Sequence, residues 1–265
     1  MSAFDSVGVA RAGNGATGPD GLAASFAARF PDRFIPFAGQ GPIGRFIRTD
    51  GQRAWRGESP DLVSYLSQLE GQVRGGRFKG LGEFFPNNLN SNPTSLPPSR
   101  FPADSPLMQR LWQFSATYSI PLSVHMDAEG SSVPEMERLL AADRKGTWIW
   151  AHCGFAHPPL ARRLLQTHAN LHCELSLRQS IRLGPGRQDF AVDVGERLKP
   201  DWRALLEEFP DRFVLGTDTR SPQISEYVGL IRHWRQILSQ LSDQTAPRVA
   251  YQNAERILRL APTTR

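Results

Sequence analysis

Four short apolar runs in this sequence each end in a side chain that can bind a metal ion. Three of the runs end in His125, His152 and Asp218, and a fourth, shorter run ends in Glu83. Imidazole nitrogens and carboxylate oxygens are the ligands that a catalytic Zn²⁺ or a similar divalent ion takes in proteins. A buried carboxylate is costly unless a metal or a hydrogen-bond network compensates it. These residue types therefore predict a metal-binding or catalytic site.

The runs that carry these residues are predicted β-strands, and they alternate with amphipathic helices. They read as near-continuous apolar segments, as strands covered on both faces do. The predicted strands are Ser6–Ala10, Phe34–Gly39, Gly80–Phe85, Leu122–Asp127, Thr147–His152, Leu171–Ser176 and Phe213–Asp218. Such alternation indicates right-handed crossover units around a parallel sheet. In a barrel of parallel strands the strand C-termini converge at one mouth, so the four candidate ligands would meet there.

Helix start signals lie between the predicted strands. Ser59 followed by Pro60 predicts a helix to about Arg74, with serine as the N-cap and proline at the first helical position. Further predicted helices are Leu107–Tyr118, Leu160–Thr167, Asp201–Phe209, Pro222–Leu241 and Ala246–Leu260. The sequence Phe-Pro-Asp-Arg-Phe occurs at Phe30–Phe34 and again at Phe209–Phe213. Each copy is predicted to end a helix and begin a strand, which indicates two equivalent units of the fold.

Composition indicates a soluble globular protein, and we predict one domain over residues 1–265. The chain has 40% hydrophobic and 22% charged residues and a formal net charge of +5. Its basic residues are scattered, so no nucleic-acid partner is expected. A signal-peptide pattern and an apolar stretch of ~20 residues are both absent, which predicts a cytoplasmic protein without a membrane partner. Cys153 and Cys173 lie in or beside predicted buried strands and are expected as reduced thiols.

The order of the strand-end residues resembles the amidohydrolase superfamily, and especially its amidohydrolase-related group. The matching stretches are Ile120–His125, Trp150–Gly154, Val214–Asp218 and Tyr251–Leu258, the last with the Asn-Ala pair typical of that group's final helix. The resemblance runs from about Leu22 to Leu260. It implies an α/β fold of the TIM (β/α)8-barrel type and a divalent metal cofactor, with Zn²⁺ as the default and Mn²⁺ or Fe²⁺ as alternatives.

The resemblance also implies roles for individual residues. His125 would bind the metal, and His152 would bind the metal or polarise the substrate. Asp218 would bind the metal and take the proton from the attacking water. Glu83 resembles a bridging carboxylate of the TatD-like branch, with a purely structural acid as the alternative. Candidate substrate contacts follow the sixth, seventh and eighth strands: His157, Arg178 and Arg220.

One element of that family has no counterpart in the sequence. The family's first strand carries a His-x-His pair, whereas no His-x-His occurs here and the first histidine is His125. Counting strands back from Asp218 makes Phe34–Gly39 the third strand and leaves no candidate for the first. The predicted barrel is therefore incomplete at its N-terminus. Two unpaired sheet edges would favour association, so a homo-oligomer is expected.

These observations predict a metal-dependent hydrolase that acts on an amide, ester or lactone bond of a small molecule through metal-activated water. Two alternatives stay open. The first is a decarboxylase or hydratase of the same barrel group, which breaks C–C or C–O bonds. The second is a non-catalytic homologue that keeps the fold as a scaffold. The identity of the substrate is not predicted, because loops determine it.

Overall fold

A computed structural model describes residues 2–15, 18–88, 99–219 and 224–263. By their internal contacts these residues divide into two compact units. The N-terminal unit comprises residues 11–150 and 168–171, and the C-terminal unit comprises residues 1–10, 151–167 and 172–265. The single domain over residues 1–265 stays a prediction.

Strands and helices alternate along most of the chain. The strands are β1 Ala12–Gly15, β2 Phe34–Gly39, β3 Gly80–Asn88, β4 Ser99–Arg100, β5 Leu122–Met126, β6 Trp148–Trp150, β7 Leu171–Glu174, β8 Asp193–Val194, β9 Arg197–Leu198 and β10 Phe213–Val214. The helices are α1 Ser2–Ser6, α2 Asp20–Arg29, α3 Gln40–Asp50, α4 Gln52–Trp55, α5 Pro60–Arg74, α6 Pro106–Tyr118, α7 Ser132–Ala142, α8 Pro158–Thr167, α9 Pro200–Glu208, α10 Ile224–Leu238, α11 Thr245–Pro247 and α12 Asn253–Ile257. Among the described helices, none has the length and hydropathy needed to cross a membrane.

The N-terminal unit is built on a parallel sheet. Parallel pairing joins β1 to β2, β2 to β3, β3 to β5 and β5 to β6, while the short β4 runs antiparallel to β3. The N–H of Trp148 in β6 donates to the carbonyl of Asn170, directly before β7, at 2.9 Å. Nearly all side chains of β2 and β5 are buried, as expected for strands covered on both faces.

Helix α5 shows how the sequence signals determine an element of this unit. Ser59 is the N-cap and accepts a hydrogen bond from the N–H of Leu62 at 3.4 Å, with Pro60 at the first helical position. The buried face is spaced by three and four residues, as an amphipathic helix requires: Leu62, Leu66, Leu69 and Val73. The predicted helix from Ser59-Pro60 to Arg74 is confirmed. Helices α1, α2, α3, α4 and α7 are additions to the predicted set.

In the C-terminal unit β7 pairs in parallel with β10, and β8 pairs antiparallel with β9. The side chain of Asn253, at the start of α12, donates to the carbonyls of Pro210 and Phe213, each at 2.8 Å. This buried amide therefore ties the last helix to β10. The single helix predicted over Ala246–Leu260 is instead α11, a π-helical turn at Arg248–Gln252 and α12.

The two Phe-Pro-Asp-Arg-Phe copies have the same local structure. Phe30 follows α2 with φ −135° and ψ 63°, and Phe209 follows α9 with φ −124° and ψ 56°. In each copy the arginine N–H donates to the carbonyl of the first phenylalanine, at 3.1 Å from Arg33 and 3.0 Å from Arg212. The second phenylalanine then begins β2 or β10. The prediction that each copy joins a helix to a strand is confirmed.

The described residues contain seven parallel strands: β1, β2, β3, β5, β6, β7 and β10. Helices separate them in the order of a TIM-type α/β barrel that lacks one of its eight strands. The predicted fold class is confirmed.

The first predicted strand was misplaced. Residues Ser2–Ser6 form α1, and β1 lies further along the chain at Ala12–Gly15, which pairs with Phe34–Phe37 of β2. The sequence Ala-Gly-Asn-Gly has no apolar run for a pattern to detect. Small residues suit this position because a Cβ on Gly13 would lie only 3.3 Å from the ring of Phe37.

Close packing between β2 and β3 makes Gly80 a sensitive position. A Cβ at Gly80 would lie 2.3 Å from the ring of Phe37. We expect Gly80→Ala to lower the free energy of unfolding by about 1–3 kcal/mol, because the ring must move within a packed core. The control is Gly71→Ala in α5, where a Cβ would meet nothing within 4 Å. This change should raise stability by about 0.5–1 kcal/mol. Urea denaturation measures the free energy of unfolding of both variants. Equal changes in the two variants would contradict the close packing inferred at Gly80.

His172 in β7 gives the C-terminal unit a specific acid sensitivity. Burial, with added repulsion from Arg212 and Arg256, lowers the pKa of His172 from 6.5 to about 3. Between these two values the unfolded chain binds the proton and the folded chain does not. The contribution of His172 to the free energy of unfolding is therefore fully present above about pH 6.5. It is lost as the pH falls from 6.5 towards 3, by at most about 1.4 kcal/mol per pH unit.

The variant His172→Gln should lose less stability than the wild type between pH 6.5 and 4, as measured by urea unfolding at several pH values. His157→Gln, a change at an exposed histidine, is the matched control. The same pH slope in the wild type and in His172→Gln would refute the assignment.

Candidate functional site

His125 lies between two carboxylates in the N-terminal unit. Its Nδ1 is 3.3 Å from Glu83 Oε1 and its Nε2 is 3.3 Å from Asp127 Oδ1. Glu83, in the middle of β3, and His125, near the carboxyl end of β5, come together because these strands pair in parallel. The predicted strand Gly80–Phe85 continues to Asn88, so Glu83 is not a strand-end residue. Only 2% of His125 and 1% of Asp127 is exposed. The predicted residues Glu83 and His125 are thus direct neighbours.

Glycine before Glu83 allows this approach. Gly82 has φ 107°, a conformation that side chains rarely adopt, and a Cβ there would lie 2.2 Å from the carbonyl oxygen of Ser123 in β5. The backbone of β3 therefore comes close to β5 at this point. The Glu83 carboxylate reaches His125 from this position.

Electrostatics around His125 favour a positive charge. Burial opposes the imidazolium form, but the hydrogen bonds and negative charges of Asp127 and Glu83 outweigh burial and raise the pKa of His125 to about 9. The two carboxylates therefore stabilise positive charge at this position, either as the second proton on His125 or as a cation that replaces that proton.

His152 lies in the C-terminal unit, in a buried turn that directly follows β6. This turn, Ala151–Phe155, has left-handed φ values of 56° at His152, 47° at Cys153, 55° at Gly154 and 52° at Phe155. Such values cost roughly 1–2 kcal/mol for each residue with a side chain, so surrounding contacts must hold the turn. We call these residues the left-handed turn. The strand predicted over Thr147–His152 ends earlier, at Trp150.

Ser176 fixes the orientation of the His152 ring. Nδ1 of His152 lies 3.0 Å from the carbonyl oxygen of Ser176 and 2.9 Å from its Oγ. Because a carbonyl oxygen can only accept, Nδ1 carries the proton and Nε2 carries the lone pair. A backbone carbonyl on one ring nitrogen is the usual arrangement for a histidine whose other nitrogen binds a metal.

The largely buried carboxylate of Glu174 supports His152. It accepts hydrogen bonds from the backbone N–H of His152 at 3.1 Å and from both the N–H and Oγ of Ser176 at 2.7 Å. Burial raises the pKa of Glu174 above its usual value, although His152 and these hydrogen bonds act in the opposite direction. Gly216 is packed against this carboxylate, since a Cβ there would lie 1.8 Å from Glu174 Oε1.

Cys153 and Cys173 are joined by a disulfide, with their Cα atoms 4.6 Å apart. The prediction of reduced thiols is wrong for this structure. The cause is tertiary: the left-handed turn brings Cys153 against Cys173 in β7, although 20 residues separate them in sequence.

Hydrogen bonds from Arg178 stabilise the left-handed turn. Its guanidinium donates to the carbonyls of His152 at 3.1 Å and Ala156 at 2.9 Å, and it lies 4.6 Å from the ring centroid of Trp202. Burial, together with the charge of Arg187, lowers the pKa of Arg178 to about 9. The residue is fully buried. Its assignment as a substrate contact stays a prediction.

Two further predicted residues, Asp218 and His157, lie beyond β10 and beside the left-handed turn. Asp218 is half-buried in an irregular segment beyond β10, with φ 43°, and its carbonyl accepts from Arg182 at 3.3 Å. The strand predicted over Phe213–Asp218 ends at Val214, so Asp218 is not a strand residue. His157 is exposed and stacks on Phe190, with the ring centroids 5.3 Å apart. Arg220 lies outside the described residues.

Comparison with protein families identifies the chain. The family model described as amidohydrolase matches residues 5–260. The chain belongs to the amidohydrolase family. A comparison with curated proteins finds no match.

Solved structures share the fold of this chain at low sequence identity. An uncharacterised TIM-barrel protein from Bordetella bronchiseptica is 15% identical with a TM-score of 0.62, and the match covers 97% of this chain and 80% of that one. A 2,6-dihydroxybenzoate decarboxylase from Rhizobium is 16% identical with a TM-score of 0.58, covering 97% and 86%. A zinc-bound amidohydrolase from Burkholderia multivorans is 12% identical with a TM-score of 0.58, covering 98% and 87%.

The sequence analysis did not single out three polar residues that contact the two histidines. Asp127 and Glu174 hold the two histidines in place, and Ser176 orients His152. Their positions in the predicted strands could have indicated them. Asp127 and Ser176 are the last residues of two predicted strands, and Glu174 lies within the strand that ends at Ser176. Strand-end acids next to a candidate histidine are therefore informative even without a family motif.

Gly216 should be needed to keep Glu174 in place. We expect Gly216→Ala to lower the free energy of unfolding by about 1–3 kcal/mol, because the new methyl group displaces a buried, hydrogen-bonded carboxylate. Gly229→Ala in α10, where a Cβ would meet nothing within 4 Å, is the control. In a Glu174→Ala background the Gly216→Ala cost should shrink, since the carboxylate is gone. An unchanged cost in that background would refute the contact.

Proposed function

We propose that this chain is a metal-dependent hydrolase that acts on an amide, ester or lactone bond of a small molecule. One observation carries the proposal: a buried histidine of an amidohydrolase-family chain, His125, is held between the carboxylates of Glu83 and Asp127 near the carboxyl ends of parallel strands. Active sites of barrel enzymes lie at this end of the strands.

The donor chemistry of the described residues fits a divalent ion. In the N-terminal unit, Glu83 and His125 offer a carboxylate and an imidazole that could hold a metal. We propose His152 and Asp218 of the C-terminal unit as further ligands by family resemblance. Oxygen and nitrogen donors of this kind suit Zn²⁺, with Mn²⁺ and Fe²⁺ as alternatives. The buried negative charge of Glu83 and Asp127 would also attract a cation.

Each residue would contribute a defined step. The Ser176 carbonyl keeps the proton on Nδ1 of His152, which leaves the Nε2 lone pair to bind the ion or to orient the substrate. Asp218 would take the proton from the attacking water and pass it to the leaving group. When bound, the metal ion lowers the pKa of water and polarises the scissile carbonyl.

A decarboxylase is the second candidate. It is favoured by the structural similarity to the 2,6-dihydroxybenzoate decarboxylase from Rhizobium. The two candidates share a barrel and a metal but differ in product. Release of carbon dioxide from an aromatic acid would favour the decarboxylase, and release of acid from an ester or lactone would favour the hydrolase.

Metal content is the decisive measurement. Elemental analysis of the purified wild-type chain should find about one ion per chain. His125→Ala and His152→Ala should each lose most of it, because each removes an imidazole ligand. His168→Gln is the matched control, since His168 Nε2 lies 3.2 Å from Glu137 Oε1 and His168 is not a proposed ligand.

Circular dichroism of each variant separates ligand loss from unfolding. A folded wild-type chain without stoichiometric metal after purification in Zn²⁺ or Mn²⁺ would reject the metal-dependent hydrolase and favour the non-catalytic homologue. Equal metal loss in His168→Gln would reject the assignment of His125 and His152 as specific ligands.

A further inference from the structure

The sequence contains two cysteines, Cys153 and Cys173, and the structure joins them in a disulfide within the C-terminal unit. Neither residue is exposed to solvent. The bond links the left-handed turn to β7, and the two residues are 20 positions apart in sequence. Because Cys153 directly follows His152, the bond is attached to the backbone next to a residue of the proposed site.

The left-handed turn has a conformation that its own residues disfavour. Three residues with side chains have positive φ values: 56° at His152, 47° at Cys153 and 52° at Phe155. At such values the Cβ atom lies too close to the following carbonyl oxygen, so the residues would adopt negative φ if nothing held them. The turn therefore persists only while contacts with other parts of the C-terminal unit fix it.

Hydrogen bonds fix the two ends of the turn, and the disulfide fixes its middle. Glu174 accepts from the N–H of His152 at 3.1 Å. Arg178 donates to the carbonyls of His152 at 3.1 Å and Ala156 at 2.9 Å. Between these points, the sulfur of Cys153 is bonded to β7 through the disulfide. Of these contacts, only the disulfide is made and broken by a chemical reaction, thiol–disulfide exchange.

The direction of the His152 ring depends on this turn. Its Nδ1 lies 3.0 Å from the carbonyl oxygen of Ser176 and 2.9 Å from its Oγ, and the ring stacks on Phe155 with the centroids 5.4 Å apart. Both His152 and Phe155 are among the residues with positive φ. A change of either residue to negative φ would turn its side chain in another direction, because the position of Cβ follows the backbone. The contacts that orient His152 would then be lost.

Burial determines how the disulfide can react. A reducing thiolate must contact one of the two sulfur atoms, and both cysteines are fully buried. Reduction of the folded chain therefore requires the left-handed turn to open first, as a local unfolding event. After reduction the middle of the turn is no longer bonded to β7, and the hydrogen bonds at its ends must hold the disfavoured φ values without it.

We propose that Cys153 and Cys173 form a redox switch that controls the orientation of His152. A dithiol reductant attacks one sulfur, forms a mixed disulfide and closes to its own cyclic disulfide. Two electrons and two protons pass to the protein, so the disulfide becomes two thiols while the dithiol is oxidised. In the oxidised chain Nδ1 of His152 stays on Ser176, whereas in the reduced chain the turn opens and this orientation is lost. The inference rests on the proposed function only for the chemical role of His152, since the switch itself needs no metal ion.

Counting thiols in the full-length chain, after denaturation, tests the disulfide and its burial. Every thiol counted belongs to this pair, because the chain has no other cysteine. The chain purified without reductant should contain no free thiol. Dithiothreitol should reduce the folded chain about 100-fold more slowly than the urea-unfolded chain, because the turn must open first. Free thiols in the chain purified in air, or equal rates of reduction in the folded and unfolded chains, would overturn the proposal.

Low concentrations of urea distinguish opening of the turn from unfolding of the whole chain. Urea below the unfolding transition should leave the rate of reduction nearly unchanged, because local opening exposes little surface. A rate that rises with urea as steeply as global unfolding would show that the turn does not open by itself, and this result would overturn the proposal.

Hydrogen exchange measured by mass spectrometry on residues 151–156 tests the effect of reduction on the turn. Exchange there should be about tenfold faster in the reduced chain than in the oxidised chain, because the turn opens more often. The internal reference is α10 in the same unit, where exchange should not change. Equal acceleration in both segments would indicate general destabilisation and would overturn the proposal. Unchanged exchange at the turn of the fully reduced chain would overturn it as well.

The variant Cys153→Ala/Cys173→Ala removes the pair and is the matched control for the reagent. Its exchange at residues 151–156 should match that of the reduced wild type, and dithiothreitol should not change it. Melting temperature is not the readout, because loss of a disulfide lowers stability largely through the unfolded chain, whatever its role. If circular dichroism shows that the variant does not fold, the reduced wild type provides the same comparison.

Nitrogen-15 chemical shifts of the His152 imidazole, assigned by comparison with His152→Gln, report its orientation separately. The oxidised wild type should show the tautomer with the proton on Nδ1, because Nδ1 faces the carbonyl oxygen of Ser176. The reduced chain and the double variant should show a mixture of tautomers. Full retention of the Nδ1–H tautomer in the reduced chain would overturn the proposal.

Metal analysis separates failure of the switch from failure of the proposed function. Zn²⁺ is added after dithiothreitol has been removed without air, because thiolates bind this ion. The reduced chain should bind Zn²⁺ about tenfold more weakly than the oxidised chain, because its histidine ligand is no longer oriented. Faster exchange at the turn on reduction of a chain that binds no metal would support the switch and reject the metal-dependent hydrolase alone. Stoichiometric metal in both states, with unchanged exchange, would overturn the switch and leave the metal centre in place.

Discussion

Compensation of buried charge at the carboxyl ends of parallel strands is the constraint on which the rest of this structure depends. In the N-terminal unit His125 is held between two carboxylates, each 3.3 Å away. In the C-terminal unit the Glu174 carboxylate is satisfied by His152 and Ser176. Ionised groups buried without such partners would cost several kcal/mol each. The polar residues at these strand ends are therefore arranged as networks, and the same networks provide donors that suit a divalent ion.

Backbone groups also take part in these networks. The left-handed turn at residues 151–155 presents the N–H of His152 to Glu174 and its carbonyl to Arg178. A fully buried guanidinium is itself expensive, and here its charge is spread over two backbone carbonyls and the face of Trp202. The disulfide between Cys153 and Cys173 links the same turn to β7. Several independent contacts thus hold a conformation that its own residues disfavour.

The apolar pocket beside Glu83 complements the polar network. Aromatic and aliphatic side chains from α3, β3 and α6 line it, while Glu83 belongs to both the pocket wall and the histidine pair. Apolar walls around a charged group exclude water and strengthen electrostatic interactions, which is how barrel enzymes combine recognition with chemistry.

Local patterns in the sequence determined the elements and the candidate residues of the site. The bounds of β2 and α5 follow from an apolar run and from the Ser-Pro start signal, because strand burial and helix capping act over a few neighbouring residues. Glu83 and His125 were predicted as strand-end ligands and are neighbours in the structure. Only the tertiary structure decided the position of β1, the left-handed turn, the disulfide, the placement of Asp218 beyond its strand and the pairing of Asp127 with His125. These features depend on which segments pack together although they are distant in sequence. A local sequence pattern does not identify the residue that pairs with a buried charge, or the strand that pairs with a short segment of small residues.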